Sequence, residues 1–215
     1  MNPYAMPNPN RPFIARFAPA AALAAGLLLA ACGDQAAQSP QPPLKSAPLY
    51  GSAIKGGFEL TDENGAPRTW EDYAGKWRVV YFGYAYCPDY CPTDVSRFSR
   101  GIKLYAKDHP DLAATIQPLF VSVDPERDTP EVLREFTDNF DPNLIGLSGT
   151  PEQLEQAAKN FFVQYGRGEE SEGGGYLMDH TTITYLFSPD GEAIATLPTD
   201  DGPEAVAAEL AKWVR

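Results

Sequence analysis

A chain of 215 residues with 43% hydrophobic and 21% charged side chains has a globular composition, enough for one domain or two small ones, which excludes disorder throughout. Seventeen Lys and Arg against 29 Asp and Glu give a formal charge of -12, which repels phosphate backbones and argues against a nucleic-acid partner. Three Cys and two His are too few for a disulfide-stapled scaffold or a four-ligand zinc site made of Cys and His pairs.

The N-terminus accounts for one of these cysteines. Arg11 and Arg16 precede residues 20–31, an unbroken run of Ala, Leu and Gly that is too short to span the roughly 30 Å of a bilayer core as a helix. The run ends Leu29-Ala30-Ala31-Cys32, which resembles the bacterial lipobox and implies export, cleavage before Cys32 and lipidation of that residue. Residues 1–31 are therefore expected to be a lipoprotein signal peptide. Its removal leaves 184 residues and takes away two Arg but no acid, so the charge becomes -14. Residues 32–48, polar and Pro-rich, cannot bury enough apolar surface to fold and are expected to be the lipidated Cys and a flexible linker. Residues 49–215 form the domain.

Strand and helix signals alternate along this domain. Residues 78–84 are apolar on both faces, the pattern of a buried parallel strand. Val95, Phe98, Ile102 and Tyr105 then recur at helical spacing, up to His109-Pro110. Residues 118–123 are a second strand, and Asp128-Thr129-Pro130-Glu131 opens a second helix with a cap and Pro at its first turn. Residues 144–147 make a short strand, and Thr150-Pro151-Glu152-Gln153 is a capping box that starts a third helix. Residues 166–175, acidic and Gly-rich, are expected to be a mobile loop. Residues 182–187 and 192–197 flank Ser188-Pro189-Asp190-Gly191 as a hairpin, and residues 203–214 form a last helix that buries Val206, Leu210 and Trp213. The fold class is α/β: a central mixed sheet, helices on both faces, and a C-terminal β-hairpin plus helix.

The chemistry gathers after the first buried strand, at Cys87-Pro88-Asp89-Tyr90-Cys91-Pro92. Cysteines at the start of a helix face backbone N–H groups and the positive end of its dipole, which favour a thiolate. A pair four positions apart can close a disulfide, cycle as a redox couple or share one metal ion. His180, in Asp179-His180-Thr181 ahead of the hairpin, is a candidate third ligand, and a packing role is the alternative. His109 reads as a helix cap, and Met178 as a packing residue more than a soft ligand. Parallel strands ending at Tyr84 and near Asp124 finish on one sheet edge. Asp89, Asp124 and Asp179 are therefore candidates for outer or weak axial contacts, or for loop capping, and Tyr84, Tyr86 and Tyr90 can wall the site.

Tyr81-Phe82-Gly83-Tyr84, the Cys87 to Thr93 segment, Val121-Ser122-Val123-Asp124-Pro125-Glu126-Arg127-Asp128-Thr129-Pro130 and Asp179-His180-Thr181 occur in an order that resembles the Sco/SenC family of copper-binding proteins. The resemblance runs from about Gly57 to Val214 and implies a thioredoxin-like fold. It implies copper, as Cu(I) or Cu(II), held by Cys87, Cys91 and His180. It also implies work with other copper chaperones and with the copper-site subunit of cytochrome c oxidase. Two thiolates and an imidazole suit soft Cu(I), in accord with that implication. The alternative is a thiol-disulfide oxidoreductase in which Cys87 and Cys91 keep partner cysteines reduced for metallation. Many relatives carry a transmembrane helix, whereas here the lipid anchor on Cys32 is expected to hold the domain in the periplasm.

Overall fold

The structure, a computed structural model, describes residues 46–170 and 175–215. The expectations for residues 1–31, Cys32 and the linker up to residue 45 lie outside the described residues. In chain order the strands and helices are β1 (Glu59–Asp62), β2 (Pro67–Thr69), β3 (Trp77–Gly83), α1 (Tyr90–Asp108), α2 (Pro110–Ala113), β4 (Ile116–Ser122) and α3 (Pro130–Asp138). They continue as β5 (Ile145–Ser148), α4 (Pro151–Phe161), β6 (Tyr165–Glu170), β7 (Tyr176–His180), β8 (Thr184–Phe187), β9 (Ala193–Leu197) and α5 (Pro203–Trp213).

Seven strands form one mixed sheet in the order β2-β1-β5-β4-β3-β8-β9. β3 pairs in parallel with β4, and β4 with β5, while β8 lies antiparallel on the other side of β3. The central strands are β-branched and aromatic, and β4 is buried along its whole length, as a strand covered on both faces must be. Alternation along β3 assigns the covers. Tyr81 meets Phe98 of α1 and stacks on Phe120, which in turn meets Phe136 of α3. Phe82, one residue on and so on the opposite face, meets Phe161 of α4. This is the thioredoxin-like arrangement of a mixed sheet between helical layers with a C-terminal hairpin and helix.

Local signals fixed the helix starts. Thr129 caps α3 by accepting from Val132 N at 3.4 Å, and the Thr150–Gln153 capping box is complete at the head of α4. His109 caps the end of α1, its ring 4.8 Å from that of Tyr105.

Three features depart from the sequence expectations. β1 and β2 carry no strong apolar alternation, and they become strands because β1 completes the edge beside β5. Of the expected loop at residues 166–175, Gly166–Glu170 instead lie within β6, paired antiparallel with β7 through Gly166↔Asp179 and Arg167↔Met178. Backbone pairing and stacked arginines supply there what apolar burial does not, so composition gave no sign of it. Trp213 is only partly buried, its indole N–H donating to Glu209 at 2.8 Å.

Residues 47–49 form a short antiparallel run along β9: Thr196 N donates to Ala47 O at 2.9 Å and Leu49 N to Ile194 O at 2.8 Å. Since Leu197 stands opposite Thr184, and Thr184 opposite Tyr81, the chain enters the domain at the sheet end where β3 delivers Tyr84 and Cys87.

Candidate metal centre

β3 ends at Gly83, the chain turns through residues 84–89, and α1 begins at Tyr90, so Cys87 lies on the turn and Cys91 in the first helical turn. Pro92 falls where a missing N–H costs the helix nothing. Cys91 is fully buried and Cys87 half-buried. Gly83 makes the burial of Cys91 possible: a Cβ there would stand 3.0 Å from Cys91 Sγ, and equally close to Tyr81 and Phe120.

His180 reaches the pair from β7. Along this strand Tyr176, Met178 and His180 face inward and Leu177 and Asp179 outward. His180 Nε2 lies 3.2 Å from Cys91 Sγ, and the ring stands edge-on to Tyr81 and Tyr84 at 6.1 and 5.9 Å between centroids. Nδ1 lies 3.1 Å from the Thr181 carbonyl, which can only accept. A proton on Nδ1 aimed at that carbonyl leaves the Nε2 lone pair free to ligate a metal. The Sγ atoms of Cys87 and Cys91 and a nitrogen of His180 all lie within 4.8 Å of one another. Soft or borderline metals sit about 2.0 to 2.3 Å from such atoms, so ligands sharing one ion stand up to about 4.6 Å apart. The triad matches that size with little movement, and its donors suit Cu(I). An open cavity of about 460 Å³, lined by Gln164, Tyr165, Gly166, Asp179, His180 and Thr181, gives access to the His180 edge.

The two thiols are free and inequivalent. Cys87 is lowered to about 3, chiefly by a hydrogen bond from Cys91, with the backbone N–H groups of Asp89 and Cys91 adding to it against the cost of burial. The Cys91 backbone N lies 3.4 Å from Cys87 Sγ, so the helix N-terminus does act on a thiolate. Cys91 is shifted far upward by its hydrogen bond to Cys87 and by burial, and so holds its proton in the metal-free site. Burial also raises Tyr84 to about 12. Tyr81 donates to Asp94 Oδ2 at 3.0 Å.

The carboxylates divide. Asp89, at the N-cap of α1, is exposed and makes no side-chain cap hydrogen bond. Asp179 points away from the triad. Asp124 is buried, as a member of the right sheet edge, but Arg127 Nε and the Tyr176 hydroxyl, at 2.8 Å from Oδ1, occupy its oxygens. Tyr84 is buried against the site, whereas Tyr86 and Tyr90 are exposed beside it.

Asp128 is the site residue that sequence reasoning missed: it stood in the helix-opening segment and in the motif of the resemblance, with no role at the site. It is 2% exposed and accepts from Ser122 Oγ at 2.6 Å and from the Ala85 backbone N at 3.0 Å, pinning the turn two residues before Cys87. Burial raises it to about 6. A signal was present: Thr129 already caps α3, which leaves the acid before it without a local task.

A family model described as SCO1/SenC matches residues 46–215. Among curated relatives, the human mitochondrial protein SCO1 homolog is 37% identical over 169 residues, covering 77% of this chain and 54% of the relative. Protein SenC of Rhodobacter capsulatus is 43% identical over 157 residues, covering 72% of this chain and 67% of that protein. The structure of Bradyrhizobium japonicum ScoI with copper bound is 37% identical, with a TM-score of 0.67, over 75% of this chain and 99% of that one. The chain spans about half the length of the first of these relatives.

Proposed function

The chain belongs to the SCO1/SenC family, and we propose that it is a copper metallochaperone that carries one copper ion on Cys87, Cys91 and His180 and passes it to the copper-site subunit of cytochrome c oxidase. The observation that carries this reading is the gathering of two thiols and one imidazole within 4.8 Å at a half-open sheet edge. Three soft or borderline donors hold Cu(I) firmly while leaving room for an incoming thiolate, so transfer proceeds by ligand exchange. Relatives solved with copper bound support the choice of metal.

The low value for Cys87 bears on the oxidoreductase alternative. A strongly stabilised thiolate stabilises the reduced dithiol, which makes the couple oxidising and a poor reductant of partner disulfides. Metal carriage uses the same thiolate directly.

The localisation we infer is the periplasmic face of a membrane, with anchorage through a lipidated Cys32. Among the described residues no helix is long and apolar enough to cross a membrane. Ser46 follows Cys32 by 14 residues, at most about 50 Å of extended chain. The chain enters the domain at the sheet end that carries the triad, which suits delivery to a recipient held at the same membrane.

Anaerobic titration of copper into the reduced protein, followed by transfer to a copper-free recipient domain, tests the function. One bound copper that moves to the recipient is expected. A protein that binds none, or binds and never yields it, contradicts the reading.

A further inference from the structure

β6 and β7 stand outside the seven-stranded sheet, yet β7 carries His180. A two-stranded ribbon is marginal by itself, so its position depends on where it is fastened. Among the described residues much of that fastening converges on Arg127, in the segment between β4 and α3. Its Nε donates to Asp124 Oδ2 and its Nη1 to the Tyr176 carbonyl at 2.9 Å. Its guanidinium carbon lies 3.6 Å from the centre of the Tyr176 ring, and Arg167, paired with Glu126, lies 3.7 Å from the same centre. Tyr176 is thus held by its ring, its carbonyl and, through Asp124, its hydroxyl. The same guanidinium stands 5.6 and 5.5 Å from the rings of Tyr84 and Tyr86, on the approach to Cys87. Arg127 therefore touches both limbs of the site without touching a ligand.

We propose that Arg127 is a positioning residue that registers the β6–β7 ribbon against the Cys turn and so sets the fraction of molecules in which His180 is available as third ligand. This rests on the metal-carriage reading of the same site. Tyr176 and His180 share one face of β7, four residues or about 13 Å apart, so fixing the first fixes the reach of the second. Apparent affinity falls in proportion to the fraction of competent molecules.

Copper affinity of Arg127→Gln, measured against a competing chelator in the parent and in His180→Ala, tests this, together with amide hydrogen exchange of the copper-free protein. In the parent, the substitution is expected to weaken binding at least tenfold and to move the copper spectrum toward that of His180→Ala. In His180→Ala it is expected to have no further effect. Simple loss of a positive charge would strengthen cation binding in both backgrounds. Exchange is expected to rise in β7 and stay unchanged in β3 and β4. Equal weakening in both backgrounds, or unchanged β7 exchange, overturns the proposal. If Arg127→Gln fails to fold, Tyr176→Leu, which removes the ring and hydroxyl, is expected to give the same pattern. A parent protein that binds no copper sinks metal carriage, while the exchange measurement still decides the positioning role.

Discussion

The Cys91 backbone N lies 3.4 Å from Cys87 Sγ, so the residue that supplies one thiol of the triad also supplies a helix N-terminal donor to the other. One cysteine enters the metal-free site as a thiolate and the other as a thiol.

Thiolate absorbance should report this difference. With Cys87 lowered to about 3, the copper-free protein is expected to keep one thiolate from neutral pH down to about pH 4. Cys87→Ser should abolish the signal. A folded value below the unfolded value of about 8.5 contributes stability that is full above that value and fades as pH falls through the folded one. Thermal unfolding of the reduced protein should therefore show an acid-side loss that Cys87→Ser lacks.

Gly83 is expected to be intolerant of any side chain. In Gly83→Ala the new methyl would meet Cys91 Sγ, Tyr81 and Phe120 together at 3.0 Å, in a core with no slack. Overpacking of this kind costs about 1–3 kcal/mol. Copper affinity should fall with stability, because the atom displaced most directly is a proposed ligand. Wild-type affinity in this variant would mean that Cys91 is not held where it is described.

Asp128→Asn should alter pH dependence more than structure, since an amide oxygen can still accept from Ala85 and Ser122. The carboxylate, raised from 3.8 to about 6 by burial, binds its proton more tightly folded than unfolded. Its contribution is therefore favourable at low pH and is lost as pH rises from about 4 to 6, a swing of order 2–3 kcal/mol. Urea unfolding across that range should show a decline in the parent that the variant lacks.

The central sheet and the helix starts were legible because their causes are local: a continuous apolar run for β3, a threonine cap with Pro for α3 and α4. The triad was legible because the family motif names its members, and its first two stand in one turn. Asp128 was marked only by its lack of a capping task beside Thr129, since its partner Ala85 lies 43 positions away, beyond the reach of any local pattern. β6 was misread for a related reason: its acidic, glycine-rich sequence has no apolar face, and its order comes from β7 and the arginines around Tyr176. Asp124 was placed on the right edge, but the arginine three residues on claims its oxygen.

The N-terminal reading has its own check. Mass spectrometry of the protein from membranes should find a chain beginning at Cys32 with acyl mass on it. Residues 1–31 still attached, with Cys32 unmodified, would contradict lipid anchorage.

The most direct test of shared copper ligation is X-ray absorption of the copper-loaded protein beside its His180→Ala variant. Two sulfur and one imidazole nitrogen scatterer in the parent, with the nitrogen lost and binding weakened in the variant, is the expected result. Identical spectra and affinities in the two proteins would show that His180 is not a ligand and would contradict the three-residue site.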